Sequence, residues 1–307
     1  MKTRTRFRAF VFVILGMSLG WAPRLRAQAP AASGPATKEK QEQGFTLVES
    51  FEGSSNADGQ IMSFTSAAGY IFSKHFAVEL GIPVDFDRVQ TTTASGTTTT
   101  TNTGLGDAFT ALHFTFKNPA VNYGSTLTAT APTGDSSKGL STGRATFDWS
   151  NTFSRDFGRW TPFLTAGAGN SLVNTRAFYR PYLTLGKVAH FEAGTSLDLG
   201  HSFSISASLY DVAPWGTQKM YSRMVTRSVP VPTGIGTHGR AYQTSPVTSG
   251  SADLVRDNGF NAGLDFNPTK YLDLGVAYSH SVHLDLDTFS FGVVFNLSPL
   301  FHGAGRR

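Results

Sequence analysis

Near the C-terminal end, His280, His283, Asp285 and Asp287 carry imidazole and carboxylate groups within eight residues. Residues two apart on an extended strand share a face. His283, Asp285 and Asp287 would therefore stand together, and these donor types can hold a divalent cation. The same residues also make a polar rim, and no metal is expected. Ser279 and His280 are a nucleophile type beside a base type. Adjacent strand residues point to opposite faces, so the pair cannot pass a proton. No helix follows Gly104-Leu105-Gly106, so this motif reads as a turn and not as a phosphate cradle. The chain has no Cys, hence no thiolate chemistry and no disulfides. Neither a catalytic assembly nor a cofactor is expected.

A second group of titratable residues is ordered by its spacing. Phe76, Val78, Leu80, Ile82, Val84 and Phe86 alternate with Ala77, Glu79, Gly81, Pro83 and Asp85. The same period of two recurs from Phe203 to Leu209, from Phe260 to Phe266, from Leu272 to Tyr278 and from Phe289 to Leu297. Across these segments Glu79, Asp85, Asp107, His113, Asp148, His190, Glu192, Asp198 and Asp265 fall opposite the apolar face. If the apolar face meets lipid, these nine residues line a lumen.

The elements that must hold them are strands. Twelve are predicted, at 45–54, 60–72, 75–86, 105–117, 121–131, 144–157, 161–171, 184–199, 202–212, 258–267, 271–280 and 288–297. After Ala22 no apolar run approaches a membrane-spanning helix. A spanning structure made of these strands must close, because lipid tolerates no open sheet edge. The fold expected is an all-β transmembrane antiparallel barrel of about 12 strands. Short connections (Ser73-Lys74, Asn118 to Ala120, Gly158 to Trp160, Gly200-His201, Pro268 to Lys270) alternate with mostly longer ones. The longer set is Arg88 to Gly104, Pro132 to Gly143, Val173 to Leu183 and Ala213 to Asp257. Short periplasmic turns and long extracellular loops, with both termini periplasmic, account for the alternation. The Thr-rich stretch Thr91 to Thr103 reads as a solvated loop.

The N-terminus supplies the address. Lys2, Arg4, Arg6 and Arg8 precede the apolar stretch Ala9 to Ala22, and Ala27-Gln28-Ala29 offers small residues for cleavage. Residues 1–29 are expected to be a signal peptide directing export to the bacterial outer membrane. Residues 30–44 then form a flexible periplasmic lead-in, 45–297 the barrel and 298–307 a tail. The chain has 26 Lys and Arg against 21 Asp and Glu. Six of the bases and no acids lie in residues 1–29, which leaves 20 bases against 21 acids. The basic pI of 9.5 is therefore a property of the leader and no argument for nucleic-acid binding.

One loop breaks this balance. Ala213 to Asp257 carries Lys219, Arg223, Arg227, Arg240 and Arg256 with few acids, while the lumen wall is mostly acidic. Opposite charges in a narrow lumen attract, so the loop is expected to fold inward. Arg223, Arg227 and Arg240 would form a constriction against Glu79, Asp85 and Asp265. Pro230, Pro232, Gly234, Gly236 and Gly239 favour a coiled insertion over a helical plug.

The final strand, Ser290 to Leu297, resembles the C-terminal signal read by the barrel-insertion machinery, although ten residues follow it. A second resemblance covers about 100 to 220. It rests on Gly104-Leu105-Gly106-Asp107, Ala131-Pro132-Thr133-Gly134-Asp135, Leu140-Ser141-Thr142-Gly143, Thr161-Pro162-Phe163, Gly167-Ala168-Gly169-Asn170 and Tyr210 to Gln218. These residues resemble the outer-membrane transporter family of the MetA-pathway-of-phenol-degradation type. The resemblance implies a barrel that passes small, often aromatic, solutes. The expected function is passive passage of small solutes. The alternative is a structural or adhesive surface barrel.

Overall fold

A computed structural model describes residues 43–93, 96–225 and 241–302. The expected signal peptide, nearly all of the lead-in, Arg227 and Arg240 lie outside these residues. The strands are β1 (Gly44–Asn56), β2 (Gly59–Ile71), β3 (Phe76–Thr93), β4 (Gly96–Leu105), β5 (Phe109–Lys117), β6 (Asn122–Thr130), β7 (Thr146–Ser154), β8 (Trp160–Gly169), β9 (Tyr182–Leu185), β10 (Val188–Gly200), β11 (Phe203–Pro214), β12 (Gln218–Ser222), β13 (Val247–Gly250), β14 (Asp257–Thr269), β15 (Leu272–Ser281) and β16 (Leu286–Asn296). Two one-turn helices, α1 (Ala241–Thr244) and α2 (Pro299–His302), and two 3-10 turns, Ser136–Lys138 and Ala252–Leu254, complete the described elements.

Twelve strands form one antiparallel ring in the order β1-β2-β3-β5-β6-β7-β8-β10-β11-β14-β15-β16. The last strand pairs with the first from Val48↔Asn296 to Ser55↔Phe289, so the ring is closed and has no free edge. The period-two sequence then sorts side chains to two surfaces. Leu209 is 68% exposed and Phe289 65%, and Leu80, Leu112, Trp149, Leu164 and Val276 point the same way. An apolar surface running around the whole wall is what lipid covers. Ser54, Ser63, Thr165, Ser196, Ser204, Thr288 and Ser290 are buried on the inner face. The few polar groups on the outer face bond to each other: Tyr123 Oη donates to Asn151 Oδ1 at 2.7 Å, and Trp149 Nε1 to Ser125 Oγ at 2.9 Å.

Three expectations change. The Thr-rich stretch is no loop: β3 runs on to Thr93 and pairs with β4 as a hairpin, from Val84↔Leu105 to Thr93↔Gly96. Thr is β-branched and suits a paired strand even without an apolar face. The fourth strand is consequently broken at Gly106–Ala108, and only β5 continues in the wall. The residues of the family resemblance brace that break. Thr133 Oγ1 accepts from Ala108 N and donates to Gly106 O, at 2.8 and 3.0 Å, while Gly134 N donates to Asp107 Oδ1 at 3.0 Å. Second, the 213–257 connection is not a plain coil. Its β12 pairs with β13 and with β9 of the preceding loop, forming a small three-stranded sheet, and α1 follows Arg240. Third, the connection between β8 and β10 does not stay outside the barrel.

The core lies where these loops meet the wall. Leu172, Phe178, Tyr182, Met220, Met224 and Tyr242 from the loops pack with Ile61, Val89, Val188, Val212 and Leu286 of the barrel. The wall's large apolar residues mostly face outward, so this cluster at the long-loop end is what holds the loops in place. At the opposite end α2 packs on β1, with Phe301 edge-on to Phe45 at 5.1 Å between ring centroids.

Candidate functional site

The chain leaves β8, turns inward, and forms a tight reversal in which Phe178 N donates to Thr175 O and Thr175 N to Phe178 O. Its tip carries Arg176. The guanidinium meets Asp273 Oδ1 at 3.0 Å, Asp265 Oδ1 at 3.2 Å and Glu52 Oε1 at 4.0 Å. It rests on two glycines paired across β15 and β16, Gly275↔Gly292. A Cβ at Gly275 would stand 2.6 Å from Arg176 Nη2, and one at Gly292 2.9 Å from Nε, so the bare backbone lets the guanidinium lie close against the wall and an added methyl would push it aside. Tyr179 Oη adds a 2.8 Å bond to Glu52 Oε2. Ser54 and Ser290 hydroxyls hold the loop backbone by donating to Tyr179 O and Ala177 O. Gly275 is six residues from the loop end of β15, roughly 20 Å along the strand, so the tip reaches well down the lumen.

The second inward contact is made by Arg223, just after β12. Its Nε and Nη2 donate to the two oxygens of Asp87, both at 2.8 Å, and Nη2 stands 3.3 Å from Asp85 Oδ1. Arg223 and Asp87 are fully enclosed. Burial alone would lower the guanidinium pKa; the Asp87 and Asp85 carboxylates outweigh it and raise the pKa, so the group stays charged. The planar fork matching one carboxylate explains why Arg and not Lys serves here. Gly106 gives Asp85 room, since a Cβ there would sit 2.6 Å from its Oδ2.

A closed twelve-strand ring, lipid-facing outside and polar inside, with its long loops folded into the bore, is a recognisable arrangement. No family model and no curated protein matches the sequence. Among solved structures, an outer-membrane channel from Pseudomonas putida F1 superposes with a TM-score of 0.53 at 13% identity, over 87% of this chain and 100% of that one. The fold is that of an outer-membrane β-barrel. The NanC porin aligns with a TM-score of 0.47 at 7% identity, over 81% of this chain and 100% of that chain. The KdgM porin aligns with a TM-score of 0.45 at 10% identity, over 81% and 98%.

Within this barrel the sequence-selected residues separate into groups. Asp85 meets Arg223, and Asp265 meets Arg176. Asp148 Oδ1 and His190 Nε2 pair at 2.8 Å, Glu192 Oε1 accepts from Ser208 Oγ, and His113 Nδ1 lies 3.2 Å from Thr126 Oγ1. Glu79 is on the inner face with Oε1 unpartnered. Asp198 caps the β10–β11 turn by accepting from Gly200 N, and Asp107 braces the strand break. At the end of β15, Asp287 binds His280 and Tyr278 on the outer face, away from the lumen. Among the described residues no three His, Asp or Glu side chains converge to hold a metal.

Arg176, Tyr179, Glu52, Asp87 and Asp273 were not selected from sequence. Asp273 sits on the polar phase between Leu272 and Leu274, so its signal was present. Asp87 lies one residue past the predicted end of its strand. Arg176 stands in a connection that also carries Arg180 and Lys187 and no acid, a sign asymmetry like that of the 213–257 loop that went unselected because the connection is shorter. A cavity remains between the inward loop and the wall formed by β6, β7, β8, β10 and β11.

Proposed function

We propose that this chain is a passive channel of the bacterial outer membrane for small solutes, narrowed from within by residues 170–187 and by the Arg223 loop. The observation that carries the reading is the placement of Arg176: a charged loop tip held by three carboxylates deep in a polar bore. Such an arrangement sets bore width and local charge, the two quantities that govern passage through a pore. The lumen-lining set Glu79, Asp85, Asp148, His190, Glu192 and Asp265 makes the wall acidic, and the Pseudomonas putida structure of the same fold is described as a channel. The resemblance of residues 104 to 218 to the phenol-degradation-type transporters favours small, partly apolar solutes.

In this reading residues 1–29 direct export, both termini are periplasmic, and the insertion machinery reads Ser290 to Leu297 on the strand that closes the ring. Outer-membrane lipid covers the apolar belt. Purified protein in planar bilayers should give reproducible single channels with cation preference. Absence of any conductance across salt and voltage would remove the channel reading in favour of a surface or structural barrel. For orientation, Thr98→Cys should react with an impermeant maleimide on intact cells and Thr269→Cys should not; reaction at position 269 alone reverses the topology.

A further inference from the structure

The inward loop of residues 170–187 is fastened to one side of the bore. Its tip, Arg176, is held by Glu52 of β1, Asp265 of β14 and Asp273 of β15. Tyr179 donates to Glu52, and the hydroxyls of Ser54 on β1 and Ser290 on β16 hold its backbone. Arg223 ties the second loop to Asp85 and Asp87 of β3. The strands β14, β15, β16, β1, β2 and β3 are consecutive in the ring, so all these contacts fall on one half of the barrel. Among the described residues, none of the side-chain hydrogen bonds or ion pairs of residues 172–180 reaches β5, β6, β7 or β10. On that other half a cavity separates the loop from the wall.

The two sides of this gap differ in chemistry. Leu172, Val173 and Phe178 make the loop side apolar. The wall presents Thr128 of β6 and Ser150 of β7, both half-buried hydroxyls, together with the acids Asp148 of β7 and Glu192 of β10. Glu192 is half-buried, and Asp148 is enclosed with His190 Nε2 at 2.8 Å from its Oδ1. Arg180 also borders the cavity, but the buried Asp257 answers its charge. Carboxylates in a surrounding of low dielectric attract cations and repel anions across several ångströms, without direct contact. We propose that solutes cross this barrel off its axis, through the gap between residues 172–180 and the wall of β6, β7 and β10, and that Glu192 and Asp148 make it a path for small organic cations. Arg176 holds the loop aside and so fixes the width of the gap; the acids of the opposite wall select the charge. The path rests on the channel reading, whereas the access of a small cation to the gap does not.

The chain has no Cys, so each introduced thiol is the only one. Thr128→Cys and Ser150→Cys place it on the gap wall. Ser279→Cys places it on the opposite half, on the inner face of β15, where the Ser279 hydroxyl is enclosed without a partner and the exchange removes no bond. Each variant is treated with aminoethyl methanethiosulfonate, a small organic cation, and with the sulfonatoethyl reagent, its anionic counterpart. Adducts are read by mass spectrometry in detergent, and current in planar bilayers. Thr128→Cys and Ser150→Cys should react and lose at least about half of their current, and Ser279→Cys should do neither. At Thr128→Cys the cationic reagent should react at least about fivefold faster than the anionic one, after correction for their rates with a free thiol, and adding Glu192→Gln should cut that ratio at least about twofold. Failure of both gap thiols to react, or reaction at Ser279→Cys alone, overturns the path. Equal rates for the two reagents, or a bias untouched by Glu192→Gln, overturn the cation assignment. Full current kept after both gap adducts have formed leaves the channel reading and overturns the path. If no variant conducts while the gap thiols still react with the cationic bias, the channel reading falls and the cation-attracting gap stands.

Discussion

The two inward loops solve the same problem with different margins. Arg223 is sealed with Asp87 and Asp85 near the long-loop end, with the apolar cluster of Met220, Met224 and Tyr242. Arg176 hangs lower, among carboxylates with side-chain exposures of 12 to 29%, and is held mainly by charge and hydroxyl contacts. The first contact is a fastener that the barrel cannot lose without leaving buried acids unpaired. The second is shared among three acids, each partly hydrated, and can be exchanged for water and salt. In the channel reading the difference would separate a structural clamp from a constriction that can move.

Breaking the clamp should have the largest effect. Arg223→Met leaves Asp85 and Asp87 enclosed and unpaired, a loss of about 3–5 kcal/mol. It should appear as a lower heat-modification temperature on gels and as protease sensitivity of the 215–256 loop. Replacing Asp85 and Asp87 by Asn in the same variant should recover much of that loss. Arg176→Gln should cost less, about 1–2 kcal/mol after allowing for hydration of its acids, and should raise conductance while leaving heat modification nearly unchanged. Salt sharpens the contrast. Raising ionic strength from about 0.1 to about 1 M shortens the screening length from roughly 10 to 3 Å. Conductance normalised to bulk conductivity should then rise in wild type, fail to rise in Arg176→Gln, and leave the Arg223 loop as protease-resistant as before. The smallest effect is expected from Gly275→Ala. The added methyl displaces a flexible guanidinium and not backbone, so open-channel noise should increase with little change in stability.

Much of the wall was legible because most of its strands obey one local rule. Apolar residues at alternate positions, ten at a time, fix both the strand and its outward face, and the short turns fix the order. The Thr hairpin obeys the β-branched preference but carries no apolar phase, so its pairing with β3 left no trace in hydropathy. The clamp was half legible. A basic 45-residue connection facing acidic strands placed Arg223 against Asp85, but its main partner Asp87 lies past the end of the predicted strand. The constriction was not legible. Arg176 is one of three cations in a connection of ordinary length, nothing in the sequence singles it out from Arg180 and Lys187, and its acids come from β1, β14 and β15. Its bed, Gly275 and Gly292, becomes meaningful only when the register places the two glycines side by side. Long-range register, and not composition, carries that information.

The central claim is that residues 170–187 fill the bore of a conducting barrel. Single-channel conductance measured in planar bilayers, for wild type and for a variant in which residues 173–180 are replaced by a short Gly-Ser linker, tests it most directly. The account predicts a several-fold higher conductance and a stronger cation preference in the variant, because the exposed Glu52, Asp265 and Asp273 then line a wider pore. A correctly folded variant whose conductance and ion preference equal those of wild type would contradict it.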